Sequence, residues 1–255
     1  MSIQEIILSG IVQGLTEFLP VSSSGHLAIL HALYGAGEPT LLFDIILHAS
    51  TLFAVLFFLR KEIAQLAKSP KALLYIFIGS LPAAFIALFF KKNITDIFTK
   101  INIVGILLLI NGAILFLAHF TSLYYEKIKK EKKNNALNSL AIGVAQAAAL
   151  LPGISRSGST ISIAMLLGIK KEEAFKFSFL LSIPAIFGAI LFELIKFQKA
   201  GNSYNVILSY LPGGVLAFIS GFFALNVLYV LIRKHKLHYF GIYCIVVGML
   251  AFILN

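Results

Sequence analysis

The chain has 255 residues, 59% of them hydrophobic, with a mean hydropathy of +0.92 and a formal net charge of +10. That hydropathy excludes an ordinary soluble domain, and basic residues confined to short stretches between apolar runs exclude a nucleic-acid footprint. A single cysteine, Cys244, excludes an intrachain disulfide and a thiolate metal cluster.

The N-terminal stretch lacks a basic leader region, and Gln13 and Glu17 interrupt its first apolar run, so no cleaved signal peptide is expected. That run, 6–19, ends at Pro20. At 1.5 Å per residue it reaches about 21 Å, short of the roughly 30 Å hydrocarbon core. The polar run Pro20-Val-Ser-Ser-Ser-Gly-His26 follows, then a second short apolar stretch, 27–34. Together these predict a re-entrant helix-turn-helix. Membrane spans are predicted over 43–59, 72–90 and 101–120. The segment 138–168 repeats the hairpin plan, with its turn at Pro152-Gly-Ile-Ser-Arg-Ser-Gly158, and spans follow over 175–195, 206–232 and 238–254. Irregular backbone at membrane depth is tolerated only when buried in protein or lining a wet cavity.

The two halves are related. Gly10-Ile-Val-Gln13 aligns with Gly143-Val-Ala-Gln146, and Ser24-Gly25 with Ser157-Gly158, both at an offset of 133. Leu81-Pro82 then aligns with Leu211-Pro212, and the Gly105/Gly112 pair with Gly241/Gly248. One membrane domain over 1–255 is therefore expected, with internal repeats of about 1–122 and 136–255. The stretch between Tyr124 and Asn135 holds Lys127, Lys129, Lys130, Lys132 and Lys133, which places it in the cytoplasm. Arg60, Lys61, Lys68, Lys71, Lys170, Lys171, Lys176, Arg233, Lys234 and Lys236 fall on the same side. Lys91, Lys92, Lys100, Lys196 and Lys199 fall outside. Three spans per half is an odd number, so the repeats are inverted and their hairpins enter from opposite faces. The predicted fold is all-α: an inverted-topology repeat of six transmembrane helices plus two re-entrant hairpins.

The polar groups concentrate in the two turns. Arg156 is a cation left inside the membrane, where it costs roughly 2.5–3.5 kcal/mol on insertion scales. Gln13 and Glu17, four apart, share a helix face. Glu17 reads either as a buried ion-pair partner of Arg156 that fixes the fold, or as part of a reacting site. Ser22, Ser23, Ser24 and His26 cluster more than packing requires, although serines in membrane helices often only bond to backbone. Gly25 and Gly158 permit tight turns with exposed N–H groups suited to phosphate, and Arg adds a planar bidentate donor. A hydroxyl, an imidazole and a phosphate clamp point to phosphoryl transfer. Ser23 and His26 are three apart, and His26 is a candidate base or acid. Glu17 is a candidate divalent-metal ligand, too thin a site without the substrate's own oxygens. Asp44 and His48 read equally as a packing hydrogen bond or as support for the site. His31, His119, His235 and His238 are expected at the interfaces, and Glu193 near a span end, snorkelling or paired with Lys196. Gly10 and Gly14 are expected to pack helices.

At these residues the chain resembles the bacterial undecaprenyl-pyrophosphate phosphatases, the integral-membrane family linked to bacitracin resistance. That family carries Glu-or-Gln, three residues, Glu, then Pro-Val-Ser-Ser-Ser/Thr-Gly-His, read here from Gln13 through Glu17 to His26, and Pro-Gly-x-Ser-Arg-Ser-Gly, read here as 152–158. The likeness spans essentially the whole chain. It implies removal of the terminal phosphate from a C55 polyprenyl pyrophosphate, and Mg2+ or Ca2+ as cofactor. It also implies a homodimer in the bacterial cytoplasmic membrane and a site opening to the outer side. Carried over, Glu17, Ser23, His26 and Arg156 are the catalytic set, with Glu17 on the metal. Gln13, Ser22, Ser24, Gly25, Ser155, Ser157, Gly158 and Thr160 surround the substrate. Gln13 replaces the carboxylate common at its position, which weakens a two-carboxylate metal site. A phosphatidic-acid-phosphatase-type enzyme shares Ser-Gly-His, but the His and Asp that follow its Ser-Arg are absent here, as is Lys-x6-Arg-Pro. A lipid-phosphate carrier is the other reading: it needs Arg156 but neither a nucleophile nor an acid.

Overall fold

Apolar side chains face both outward and inward along most helices, the arrangement of a chain solvated by lipid. In the computed structural model the described residues are 2–34, 41–98, 100–128, 131–199 and 207–253, the side chains of 31–34, 90–98 and 252–253 excepted. Lys129 and Lys130, and the side chains of His31, Lys91 and Lys92, therefore lie outside the described set. Leu88, Phe89 and Leu208 are 70–78% exposed, which only hydrocarbon tolerates as a continuous belt. Phe18, Phe175, Phe179, Leu115 and Ile161 are fully buried and form the central core.

Eleven α-helices and no strand are found among the described residues. The first hairpin comprises α1 (Ile3–Phe18) and α2 (Ser23–Tyr34). α1 begins with a capping box, in which Ser2 accepts from the Glu5 amide and Glu5 accepts from the Ser2 amide. Then come α3 (Leu41–Phe58), a short surface helix α4 (Arg60–Leu66), α5 (Pro70–Phe98) and α6 (Ile101–Lys127). The second hairpin is α7 (Ala136–Ala148) and α8 (Arg156–Leu166), followed by α9 (Lys171–Lys199), α10 (Ile207–Arg233) and α11 (His238–Ile253). Helices α3, α5, α6, α9 and α10 are long and apolar enough to cross a membrane. The sixth predicted span is α11, whose 16 residues reach about 24 Å. α4 was not anticipated. Both hairpin turns are shorter than expected, because Ser23–His26 and Arg156–Gly158 already belong to the second helix of each pair.

Close approaches hold the bundle together. α6 and α11 run against each other at glycines: a Cβ on Gly112 would come within 2.9 Å of the Gly241 carbonyl, and one on Gly248 equally close to the Gly105 carbonyl. α1 meets α10 where Gly10 lies on the Gly213 backbone, and α7 meets α5 where Gly143 lies on the Gly79 backbone. At the basic face, Glu126 pairs with Lys171 at 3.6 Å and with His235 at 2.7 Å, Lys171 also contacts His235, and Lys176 pairs with Glu62 at 3.0 Å. Glu193 departs from expectation. Its carboxylate lies 4.0 Å from His48 Nδ1 rather than on Lys196, because α9 packs its inner face on α3.

Substituting Gly112 by Val forces a branched side chain onto the Gly241 backbone, an overpacking of about 1–3 kcal/mol. The purified variant is expected to melt measurably below the parent in detergent; an unchanged melting curve would refute this helix contact.

Candidate active site

The first turn is built by capping. Ser22 adopts a left-handed conformation, φ 70°, and its hydroxyl accepts the Gly25 amide at 3.3 Å, starting α2. At the offset of 133, Ser155, with extended backbone (φ -79°), caps α8, its hydroxyl accepting the Gly158 amide at 3.1 Å. The turns then satisfy each other. Ser22 Oγ also accepts the Gly153 amide at 3.0 Å, and Ser157 Oγ donates to the Leu19 carbonyl at 3.3 Å. Asn111, fully buried on α6, bridges them: its Nδ2 donates to the Pro20 carbonyl at 2.9 Å and its Oδ1 accepts the Ser155 amide at 3.1 Å. Nδ2 also reaches Cys244 Sγ at 3.3 Å. Gly153, φ +104°, packs so tightly on the α6 backbone that no side chain fits there.

These braces deliver the charged groups to one point. Glu17 Oε1 accepts Arg156 Nη2 at 2.8 Å, and Oε2 accepts Ser23 Oγ at 2.7 Å and Gln13 Nε2 at 3.3 Å. Three of the four residues predicted as catalytic thus meet, Glu17 and Ser23 from the first hairpin and Arg156 from the second, with Gln13 beside them. Among the described residues Arg156 Nη1 is buried with no hydrogen-bond partner, a guanidinium face ready for an anion. The Ser23 hydroxyl points to Glu17, not to His26, although the two are three apart. Ser23 opens α2, and its rotamer turns back over the loop toward α1. His26 instead bonds the Ser22 carbonyl through Nδ1 at 2.8 Å and the Tyr243 hydroxyl through Nε2 at 2.8 Å. His48, on α3, hydrogen-bonds the Asp44 carbonyl through Nδ1 at 3.0 Å.

The remaining predicted residues divide. Ser22, Ser155 and Ser157 spend their hydroxyls on turn backbone, and Ser24 lies 3.3 Å from Ser22 Oγ. Gly25 and Gly158 sit at the two facing turns. Thr160 turns away, its hydroxyl bonded to the Arg156 carbonyl at 2.8 Å and to Ser178 on α9 at 2.5 Å. Asn111 and Tyr243 were missed. A lone amide within the apolar run 101–120 was a visible signal for the first; a tyrosine inside an apolar span was a weak one for the second. Among the described residues no three of His, Cys, Asp and Glu converge as a metal cage. Glu17, the Gln13 amide and the serine hydroxyls are hard oxygen donors of the type Mg2+ and Ca2+ take. Glu17 is already engaged by Arg156, so these donors fit a cation only with phosphate oxygens completing its shell.

Replacing Asn111 by Leu orphans the buried Ser155 amide, worth roughly 1–3 kcal/mol, and leaves the Pro20 carbonyl only the weak Cys244 thiol donor. The variant is expected to melt below the parent and to lose whatever turnover the site supports. Parent-like melting would show that the amide does not brace the turns.

A family model described as bacitracin resistance protein BacA matches residues 6–250. Full-length relatives agree with it. The undecaprenyl-diphosphatase of Carboxydothermus hydrogenoformans is 42% identical, the alignment covering 100% of this chain and 97% of that protein. Those of Halothermothrix orenii and Syntrophotalea carbinolica are 40% and 38% identical, covering 100% of this chain and 98% and 100% of theirs.

Proposed function

We propose a reaction for this chain from its family: it belongs to the bacitracin resistance protein BacA family, and it hydrolyses undecaprenyl pyrophosphate to undecaprenyl phosphate and inorganic phosphate. The reaction recycles the lipid carrier of cell-wall synthesis and confers bacitracin resistance. The observation that carries the chemistry is the convergence of Ser23 from one hairpin and Arg156 from the other on the single carboxylate of Glu17.

In the resting site Glu17 neutralises Arg156. A diphosphate offers the guanidinium a more highly charged partner, and the buried Nη1 supplies a donor not yet in use. As Arg156 turns to the phosphate, Glu17 is left as the base hydrogen-bonded to the nucleophile. It takes the Ser23 proton as Oγ attacks the terminal phosphorus, and the bond from that phosphorus to the bridging oxygen breaks. The monophosphate lipid leaves, and water then cleaves the phosphoseryl ester to free inorganic phosphate and restore Ser23. His26 exchanges protons with the reacting oxygens. A divalent cation would be held by Glu17 and Gln13 together with substrate oxygens, supplying charge neutralisation at the transferring phosphoryl group.

Our reading of the architecture is the inverted repeat, with six spans and two hairpins. The packing supports it. α1 of the first half lies on α10 of the second, while α7 of the second lies on α5 of the first. The α6–α11 contact is its own image, Gly112 on Gly241 and Gly105 on Gly248. We place the enzyme in the bacterial cytoplasmic membrane, as a homodimer, with the site opening away from the basic face.

Purified protein is expected to release phosphate from a polyprenyl pyrophosphate in a cation-dependent manner, and chelation to stop it. Arg156→Ala should lower kcat by about 10²–10³, the usual scale for a transition-state charge donor. Specific lipid binding that needs Arg156, without release by the folded parent, would instead make the protein a carrier. Ser23→Ala should fall to below a hundredth of parent turnover; near-full turnover would make water the attacking group.

A further inference from the structure

We infer that Tyr243 is a positioning residue for this reaction, acting through His26; the inference rests on the phosphatase reading. The imidazole is held on three sides. A carbonyl oxygen can only accept, so the 2.8 Å contact to the Ser22 carbonyl places a hydrogen on Nδ1. Nε2 is therefore the only ring atom that exchanges a proton. That atom lies 2.8 Å from the Tyr243 hydroxyl, and the two rings stack with centroids 5.5 Å apart and planes 7° from parallel.

A phenol hydroxyl suits this place because it both donates and accepts. Toward neutral His26, Tyr243 donates to the Nε2 lone pair. Toward the imidazolium, it accepts the Nε2 hydrogen. Ring plane and tautomer are thus held through both protonation states, with no reorientation between them. The position of Tyr243 is itself set by its neighbour. Cys244 is fully buried against the first turn, with Sγ 3.3 Å from Asn111 Nδ2 and 3.5 Å from the Pro20 carbonyl. This pins α11 to the tip of the first hairpin and presents Tyr243 to His26. Tyr243 is 43% exposed and its bond to Nε2 is itself open, so an incoming phosphate oxygen can reach the imidazole and take Nε2 from the hydroxyl.

The test is Tyr243→Phe, which keeps the stacked ring and removes only the hydroxyl. For phosphate release from a polyprenyl pyrophosphate, kcat is expected to fall about tenfold, a fraction of the 10²–10⁴ that a positioned acid or base contributes. KM should stay within about twofold, as for a group acting after binding. The pH dependence of kcat should change shape, which a purely structural tyrosine would not cause. In a His26→Ala background the same substitution should have no further effect, because the hydroxyl acts through the imidazole. Parent kcat and pH profile in Tyr243→Phe would overturn the assignment. So would an equal fractional loss with and without His26. A folded parent that releases no phosphate is a different failure: it removes the phosphatase reading and this role with it.

Discussion

Backbone that is neither helix nor sheet has no place in hydrocarbon unless the protein itself answers every amide and carbonyl. Both turns of this chain break helices in the buried interior of an apolar bundle, and each is answered largely by the other. Ser22 takes an amide of the second turn, Ser157 serves a carbonyl of the first, and Asn111 reaches both from a third helix. Neither turn is satisfied alone. The bonds that make the broken helices tolerable also set the separation of the two tips, and so the geometry of the groups they carry.

The ion pair between Glu17 and Arg156 belongs to the same economy. Two charges brought out of water gain little over an apolar pair of the same size, whereas leaving one unpaired costs about 3–5 kcal/mol. A pair of this kind is a poor way to stabilise a fold and a good way to store an anion site. Among the described residues the guanidinium keeps one nitrogen without a partner, while the carboxylate holds the Ser23 hydroxyl. In the proposed reaction a phosphate replaces the carboxylate on the guanidinium and neither charge is stranded, so that binding and activation become a single exchange of partners.

Much of this was legible in the chain. Apolar runs cut by serine-rich turns indicated the helix pairs α1/α2 and α7/α8; the buried cation Arg156 was read as a partner for Glu17, and the two meet; and the 133-residue offset picked out the two turns that face each other. What could not be read was which groups touch. The spacing from Ser23 to His26 permits contact on a helix, but the first residue of a helix is free to turn its side chain back over the loop, and Ser23 does so toward Glu17. Asn111 and Tyr243 act on partners 91 and 217 residues away, and no local pattern reports that. Glu193 was read from its neighbour in sequence, Lys196, when its neighbour in space is His48.

The separation of Glu17 and Arg156 along the chain, 139 residues, has a consequence for how the protein is made. At roughly 5–20 residues per second, the ribosome adds Arg156 about 7–28 s after Glu17. Through that interval the first hairpin has no counter-ion for Glu17 and no second turn to satisfy its own. On the inverted-repeat reading proposed above, the N-terminal hairpin settles to its final depth only when the second hairpin arrives from the opposite face. Membrane integration is in this sense completed backwards, with the first segment synthesised among the last to be seated.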